Sequence, residues 1–159
     1  LFRSTEVTEN DFDKDETYYY RMEYKNGYLQ RVEQRYSYNE SRVRVSECTW
    51  RDGNLVEAKC TDYNEDGTDI TTVKYSYSQT ATPINIDLFY IDGGYIDVLE
   101  PLDLLGFYGR QSAKLPNKAD IIYSGESESE SDDFGVYTLN DDGTVARIDC
   151  GSVSYELIY

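Results

Sequence analysis

Residues 18–36 read YYYRMEYKNGYLQRVEQRY. At the centre is Asn26-Gly27, and on either side Tyr, Met, Leu and Val are interleaved with Arg, Glu, Lys and Gln. A type I′ turn needs φ > 0 at both central residues, which Asn and Gly tolerate, and its twist matches that of two flanking strands. The stretch therefore predicts a β-hairpin. The same signal returns at Asp52-Gly53, Asp66-Gly67, Asp92-Gly93 and Asp142-Gly143, each time between stretches rich in Tyr, Val, Ile and Thr. Helical periodicity is nearly absent, so the chain reads as antiparallel and all-β.

A weak internal repeat supports this. Tyr24-Lys-Asn-Gly27-Tyr-Leu29-Gln-Arg-Val32 matches Trp50-Arg-Asp-Gly53-Asn-Leu55-Val-Glu-Ala58. A third copy, Leu139 to Ile148, carries one extra residue in its turn. In all three, apolar residues stand two and five places after Gly. One hairpin per repeat makes a meander the economical topology. Strict alternation about Asp52-Gly53 sets Trp50 opposite Leu55, Cys48 opposite Glu57 and Val45 opposite Cys60. It gathers Val43, Val45, Val56, Ala58 and Cys60 on one face, and Arg42, Arg44, Glu57 and Lys59 on the other. In the opening hairpin it puts Tyr18, Tyr20, Met22, Tyr24, Leu29, Arg31, Glu33 and Arg35 on one face. Tyr19, Arg21, Glu23, Lys25, Tyr28, Gln30 and Val32 fall on the other.

The expected fold is an antiparallel meander of hairpins forming a curved sheet or small soluble barrel. One short helix is expected near 101–108, begun by Pro101 and ended by Gly109. Residues 1–16 are expected as a flexible N-terminal segment, 17–159 as a single β domain, and 125–133 as a solvated loop. "ADIIYSG" reads as a strand, and three strands close the chain.

Composition narrows the function. The 159 residues can bury a core without metal or disulfide staples. Against 15 basic residues stand 31 acidic ones, a net charge of −16. Phosphate neutralisation needs clustered Lys and Arg, so no nucleic-acid partner is expected. Cations or basic partners are favoured. The chain has no histidine, which removes histidine bases and Ser-His or Cys-His nucleophile pairs. It begins at Leu1, with Met22 its only methionine. Any signal peptide or lipid-attachment cysteine therefore lies outside the given sequence. No apolar run approaches the roughly 20 residues of a membrane helix. A mid-plane Arg or Lys costs a lipid-facing strand about 2–4 kcal/mol, and both faces of the opening hairpin carry them, so no membrane embedding is expected. Cys48, Cys60 and Cys150 are odd in number and lack C-x-x-C spacing, so they read as buried thiols. The register above points Cys48 and Cys60 to opposite faces.

The aromatic-x-[Asn/Asp]-Gly-x-Leu hairpins, the central "LDLLGFYGRQSAKLPNK" and the closing "YTLNDDGTVARIDC...YELIY" carry a resemblance. Over roughly residues 17–159 the chain resembles a family of uncharacterised Bacteroides-type lipoproteins. That family is described as a domain of unknown function with a porin-like fold. Tyrosine/aspartate-repeat proteins of cell surfaces share the same hairpin grammar. The resemblance implies an extracytoplasmic location, periplasmic or at the cell surface, as an outer-membrane-anchored lipoprotein of a Gram-negative bacterium. It implies no catalytic residues.

Three features could carry chemistry. Asp62-Tyr-Asn64-Glu-Asp66-Gly67 matches the first half of a calcium loop, where oxygens alternate before Gly. Its twelfth position is Val73 rather than a bidentate Glu, and a plain polar turn is the alternative. Tyr outnumbers Phe by 17 to 5. Tyrosine suits half-buried positions, and with Trp50 it can form a platform for sugars or protein partners. Trp50, Tyr24 and Tyr28 are the binding candidates; cross-strand aromatic pairing is the alternative. Paired carboxylates could in principle serve a hydrolase, but nothing singles out a pair. The reading is an extracytoplasmic, non-catalytic binding or structural module. It binds a glycan through surface Tyr and Trp, or serves as an envelope protein's assembly partner. No cofactor is expected beyond the calcium candidate.

Overall fold

The structure is a computed structural model and describes residues 2–11, 16–37, 39, 41–77, 109–126, 129–150 and 153–156. Among the described residues all regular structure is β. The strands are β1 (Phe2–Asp11), β2 (Glu16–Lys25), β3 (Tyr28–Tyr36), β4 (Val43–Arg51), β5 (Asn54–Asn64), β6 (Gly67–Ser76), β7 (Lys118–Tyr123), β8 (Glu130–Asp133), β9 (Val136–Leu139), β10 (Val145–Cys150) and β11 (Val153–Glu156). β1 to β8 form one eight-stranded antiparallel sheet in chain order, and β11-β10-β9 form a three-stranded sheet. The meander is therefore the observed topology. Among the described residues β1 and β8 are its two edges, and the sheet does not close into a barrel. The helix expected near 101–108 and the Asp92-Gly93 turn lie outside the described residues.

Two segments expected as irregular are strands. β1 pairs with β2 over its whole length, from Phe2↔Lys25 to Asp11↔Glu16, where a flexible arm was expected. β8 pairs with β7 inside the expected solvated loop. Both are edge strands. Backbone pairing on one side satisfies such a strand, and short length and charge are the usual protection of an edge. Polar composition alone therefore misreads them as loop.

Asn26-Gly27 and Asp52-Gly53 are the expected two-residue turns. Lys25 pairs with Tyr28 and Arg51 with Asn54, and φ is positive at Asn26 (55°), Gly27 (86°), Asp52 (51°) and Gly53 (79°). The third turn is displaced by one residue: Asn64 pairs with Gly67, so Glu65 and Asp66 form the loop.

Strict alternation fails just beyond these turns, for one recurring reason. On β3, Leu29 pairs with Tyr24 and Arg31 with Glu23, leaving Gln30 as an extra residue. On β5, Leu55 pairs with Trp50 and Glu57 with Thr49, leaving Val56. On β10, Val145 pairs with Leu139 and Arg147 with Thr138, leaving Ala146. Each is a β-bulge three places after the repeat's Gly. The bulge turns both apolar repeat positions to one side: Leu29 and Val32 are fully buried, as are Leu55 and Ala58. Without it, Arg31, Glu33 and Arg35 would occupy the buried side, which costs far more than one unpaired ladder position.

The registers change accordingly. Cys48 faces Ala58, not Glu57, and Val45 faces Thr61, not Cys60. Val32 lies with Tyr20, Met22, Leu29, Cys48, Leu55, Ala58, Val73, Tyr75, Ala119 and Ile121 in the main core. Arg31, Glu33 and Arg35 lie on the opposite face. Arg44, Ser46 and Cys48 share the buried side, whereas Val43 and Val45 do not. Cys48 and Cys60 are therefore on the same face.

A strap over residues 109–117 ties the two sheets together. Leu115 is buried with Tyr137 and Val145 in a second core, and Phe134 packs against both cores. The Tyr137 hydroxyl donates to the Pro116 carbonyl (2.9 Å), and Phe134 N–H donates to the Asn117 carbonyl (2.9 Å).

Candidate functional site

The buried face of the large sheet has two chemically different ends. The hairpin-tip end holds all three aromatic candidates. Trp50 lies against Tyr28 with ring centroids 4.7 Å apart, and its indole N–H donates to the Leu29 carbonyl (2.6 Å). The Arg110 guanidinium stands 5.7 Å from the other partner ring, Tyr28. Tyr24 lies beside Gly109, where an added Cβ would meet its ring at 3.3 Å. Trp50 and Tyr28, two of the three binding candidates, are thus in contact, and the Tyr28 ring also carries Arg110 of the strap.

The strap is fastened to both hairpin tips. Arg110 N–H donates to Gly27 O and Ala113 N–H to Gly53 O, each 2.9 Å. Lys114 N–H donates to Asn54 Oδ1, and Leu55 N–H donates to Ser112 Oγ, both 2.9 Å. Tyr77 O–H donates to Leu55 O (2.7 Å) and lies 3.1 Å from Ser112 Oγ.

The far end is polar. Gln34 is buried; its amide N–H donates to Tyr20 Oη (2.9 Å), and its Oε1 accepts from Tyr36 O–H (2.9 Å). Tyr36 meets Tyr18 edge-on with centroids 5.5 Å apart, and Arg42 lies 5.0 Å above its ring. Register carries this row across the sheet, Tyr20 to Gln34, Gln34 to Arg44, and Arg44 to Asp62. Asp62 Oδ2 accepts from Arg42 Nη2 and Arg44 Nε, each 2.8 Å, while Oδ1 accepts from Arg42 Nε at 3.3 Å.

Burial pushes the Asp62 carboxyl up, but hydrogen bonds and charge from Arg42 and Arg44 outweigh it and hold its pKa below the usual value. Burial works against the Arg44 cation, and the Asp62 hydrogen bond restores it with its pKa raised. On the exposed face the Arg31 hydrogen bond leads the effects lowering Glu33, with burial opposing and Arg35 assisting. Desolvation pushes the Cys48 thiol to about 12, so it is no nucleophile. Every carboxylate shift resolved among the described residues, at Glu33, Asp62, Asp120 and Asp142, is downward. A general acid at neutral pH needs the reverse.

The calcium candidates do not converge as a cation loop. Asp62 faces two guanidiniums. Asn64 Oδ1 accepts from Asp66 N–H (2.9 Å), and its amide donates to Asp69 Oδ2 (3.2 Å). Among the described residues no group of acidic or thiol side chains is arranged to hold a metal.

Strict alternation misses the row Tyr20–Gln34–Arg44–Asp62 because, continued past Val32, it puts Gln34 and Tyr36 on the face away from Tyr20, whereas Tyr20 and Gln34 are cross-strand partners. The signal that finds it is the three-residue interval from Leu29 to Val32 and from Leu55 to Ala58, which only a bulge reconciles with one buried face.

The opposite face is a charge lattice. Glu23 faces Arg31, Arg31 faces Glu47, and Glu47 faces Lys59; Glu57 faces Lys74, and Lys74 faces Asp120. Glu33 accepts from both Arg31 and Arg35 at 2.8 Å. Among the described residues no helix is long and apolar enough to cross a membrane.

No protein-family model matches this sequence, and no curated protein matches it. Among solved structures, the chain is similar to a porin-like protein from Bacteroides vulgatus, with a TM-score of 0.62 and 15% identity. The match covers 91% of this chain and 64% of that protein, so the chain spans less than two thirds of its neighbour's length. At this identity the likeness is one of fold: an all-β, porin-like arrangement of strands.

Proposed function

We propose that this protein is an extracytoplasmic, non-catalytic binding module of a Gram-negative envelope, carried as a lipoprotein. The observation that carries the binding reading is the polar row on the otherwise apolar buried face. Tyr, Gln, Arg and Asp side chains converge there in one hydrogen-bonded row, and the resolved carboxylate shift in it, at Asp62, is downward. Such a surface holds a ligand through directional hydrogen bonds, and glycan is the class that suits it. The location and the anchor rest on the lipoprotein resemblance and agree with the porin-like neighbour from Bacteroides.

The strands are read as water-facing rather than lipid-facing. Met22, Leu29, Val32, Ala58 and Val73 have no exposed surface, so the chain itself covers them, while the accessible face carries the Arg, Lys, Glu and Asp lattice. A lipid-facing strand shows the opposite arrangement. Partition of the purified domain into detergent micelles as an integral protein would overturn this.

Calorimetric titration with a polysaccharide panel, with and without calcium, tests the function. A saturable response independent of calcium supports glycan binding. A flat response across the panel, with specific capture of one envelope protein, supports the assembly reading instead. Turnover of any glycan refutes the non-catalytic reading.

A further inference from the structure

Resting on the binding reading above, we propose that the ligand is a neutral, hydroxyl-rich saccharide. It is held at the end of the buried face remote from the hairpin tips, with Asp62 Oδ1 as its principal acceptor. The two ends differ in what lies over them. At the tips, the strap's backbone is hydrogen-bonded to Gly27, Gly53 and Asn54, and half-buried Tyr28 lies against Trp50 and Arg110. At the far end exposure rises outward from the buried Gln34, to 15% at Asp62, 25% at Arg44 and 30% at Arg42.

The acceptor is specific. An ionised carboxylate offers about four lone-pair sites. Among the described residues Asp62 accepts three, two of them on Oδ2, while Oδ1 carries the long 3.3 Å contact from Arg42. The two guanidiniums keep the group ionised, and an ionised acceptor binds a hydroxyl about twice as strongly as a neutral one does. Gln34 adds a second amide N–H and a second carbonyl lone pair beyond the two bonds it makes among the described residues. Gln34, Arg44 and Asp62 stand on three adjacent strands, so they span roughly 10 Å. One hydroxyl cannot bridge that distance; a sugar unit bearing several can.

Charge selects the class. Arg42 and Arg44 are balanced by Asp62 and by Asp69, its partner on β6, so the position is close to neutral, while the chain's net charge of −16 repels an anionic polymer as it approaches. A neutral hydroxyl donor meets no such barrier.

The test uses the wild-type chain in NMR titrations with maltohexaose, cellohexaose, xylohexaose and mannohexaose, and with polygalacturonate as the acidic comparison. The expected result is saturable shifts of the Gln34 side-chain amide and the Arg44 Nε–H by one neutral member, with the Trp50 indole N–H unmoved. Asp62→Asn should weaken that member by tenfold or more, since hydrogen bonds to charged groups are worth about 1.5–3 kcal/mol. Trp50→Phe should bind like the wild type. If the indole N–H moves and Gln34 does not, the saccharide sits at the tips; the inference fails and the binding reading survives. If only polygalacturonate binds at Gln34, the neutral class is wrong. If no saccharide moves any resonance, the inference and the glycan reading fail together.

Discussion

Ser46 tests the bulged register through an unusual expectation, a gain of stability on losing a hydrogen-bonding group. Ser46 lies on the buried face between Val32 and Cys60 and is fully buried. Its Oγ has no hydrogen-bond partner among the described residues. A buried polar group without a partner costs about 1–3 kcal/mol. Ser46→Ala removes it and leaves a void of one oxygen atom, smaller than the methyl-sized cavity that costs about 1 kcal/mol. The balance is a gain of about 1 kcal/mol. For a chain of this size that raises Tm by about 2–4 °C per kcal/mol. Urea unfolding should show a higher midpoint with an unchanged slope, because the surface exposed on unfolding stays the same. A loss of 1 kcal/mol or more would mean that the hydroxyl is partnered, and the placement of Ser46 on a dry apolar row would be wrong.

Deleting Gln30 removes only the bulge's extra residue, leaving Leu29 opposite Tyr24, Arg31 opposite Glu23 and Val32 opposite Met22, so both faces are kept; the variant should retain a cooperative thermal transition, followed by circular dichroism, and loss of that transition would refute the bulged register. Gly109→Ala should cost about 1–3 kcal/mol, the penalty of a left-handed backbone for a residue with a side chain. Gly109 has φ +88°, and a Cβ there would meet the Gly27 carbonyl at 2.7 Å. Loosening of the strap should appear as a red shift of Trp50 fluorescence. Acid titration should reveal the ion pairs. Asp62 and Glu33 have depressed folded pKa values, so their stabilisation is present above the unfolded value near 4 and is lost as pH falls through the folded values. Asp62→Asn should flatten the stability curve below pH about 4, and an unchanged curve would remove Asp62 from that account.

Much of the fold is legible in the sequence, because turn chemistry is local. Asn26-Gly27 and Asp52-Gly53 need no tertiary context to specify a two-residue turn, and consecutive hairpins follow. The register is less legible, because alternation and repeat spacing disagree. Gly27 to Leu29 to Val32 cannot satisfy a period of two, and the buried face decides between them by excluding Arg31, Glu33 and Arg35. Once the bulge is admitted, Gln34, Tyr36 and Tyr20 fall together. Arg42, Arg44 and Asp62 remain harder to place, since a half-buried ion pair carries no apolar signal. The strap is harder still: its bonds run from backbone groups of 110–114 to turns more than fifty residues earlier, and composition does not encode them.

The most direct test of the binding account is a crystal structure of the protein grown with the tightest-binding neutral saccharide. The account predicts a ligand hydroxyl within hydrogen-bonding distance of Asp62 Oδ1, with the strap still fastened at Gly27 and Gly53. A saccharide stacked on Trp50 or Tyr28, or a calcium ion among Asp62, Asn64 and Asp66, would contradict it.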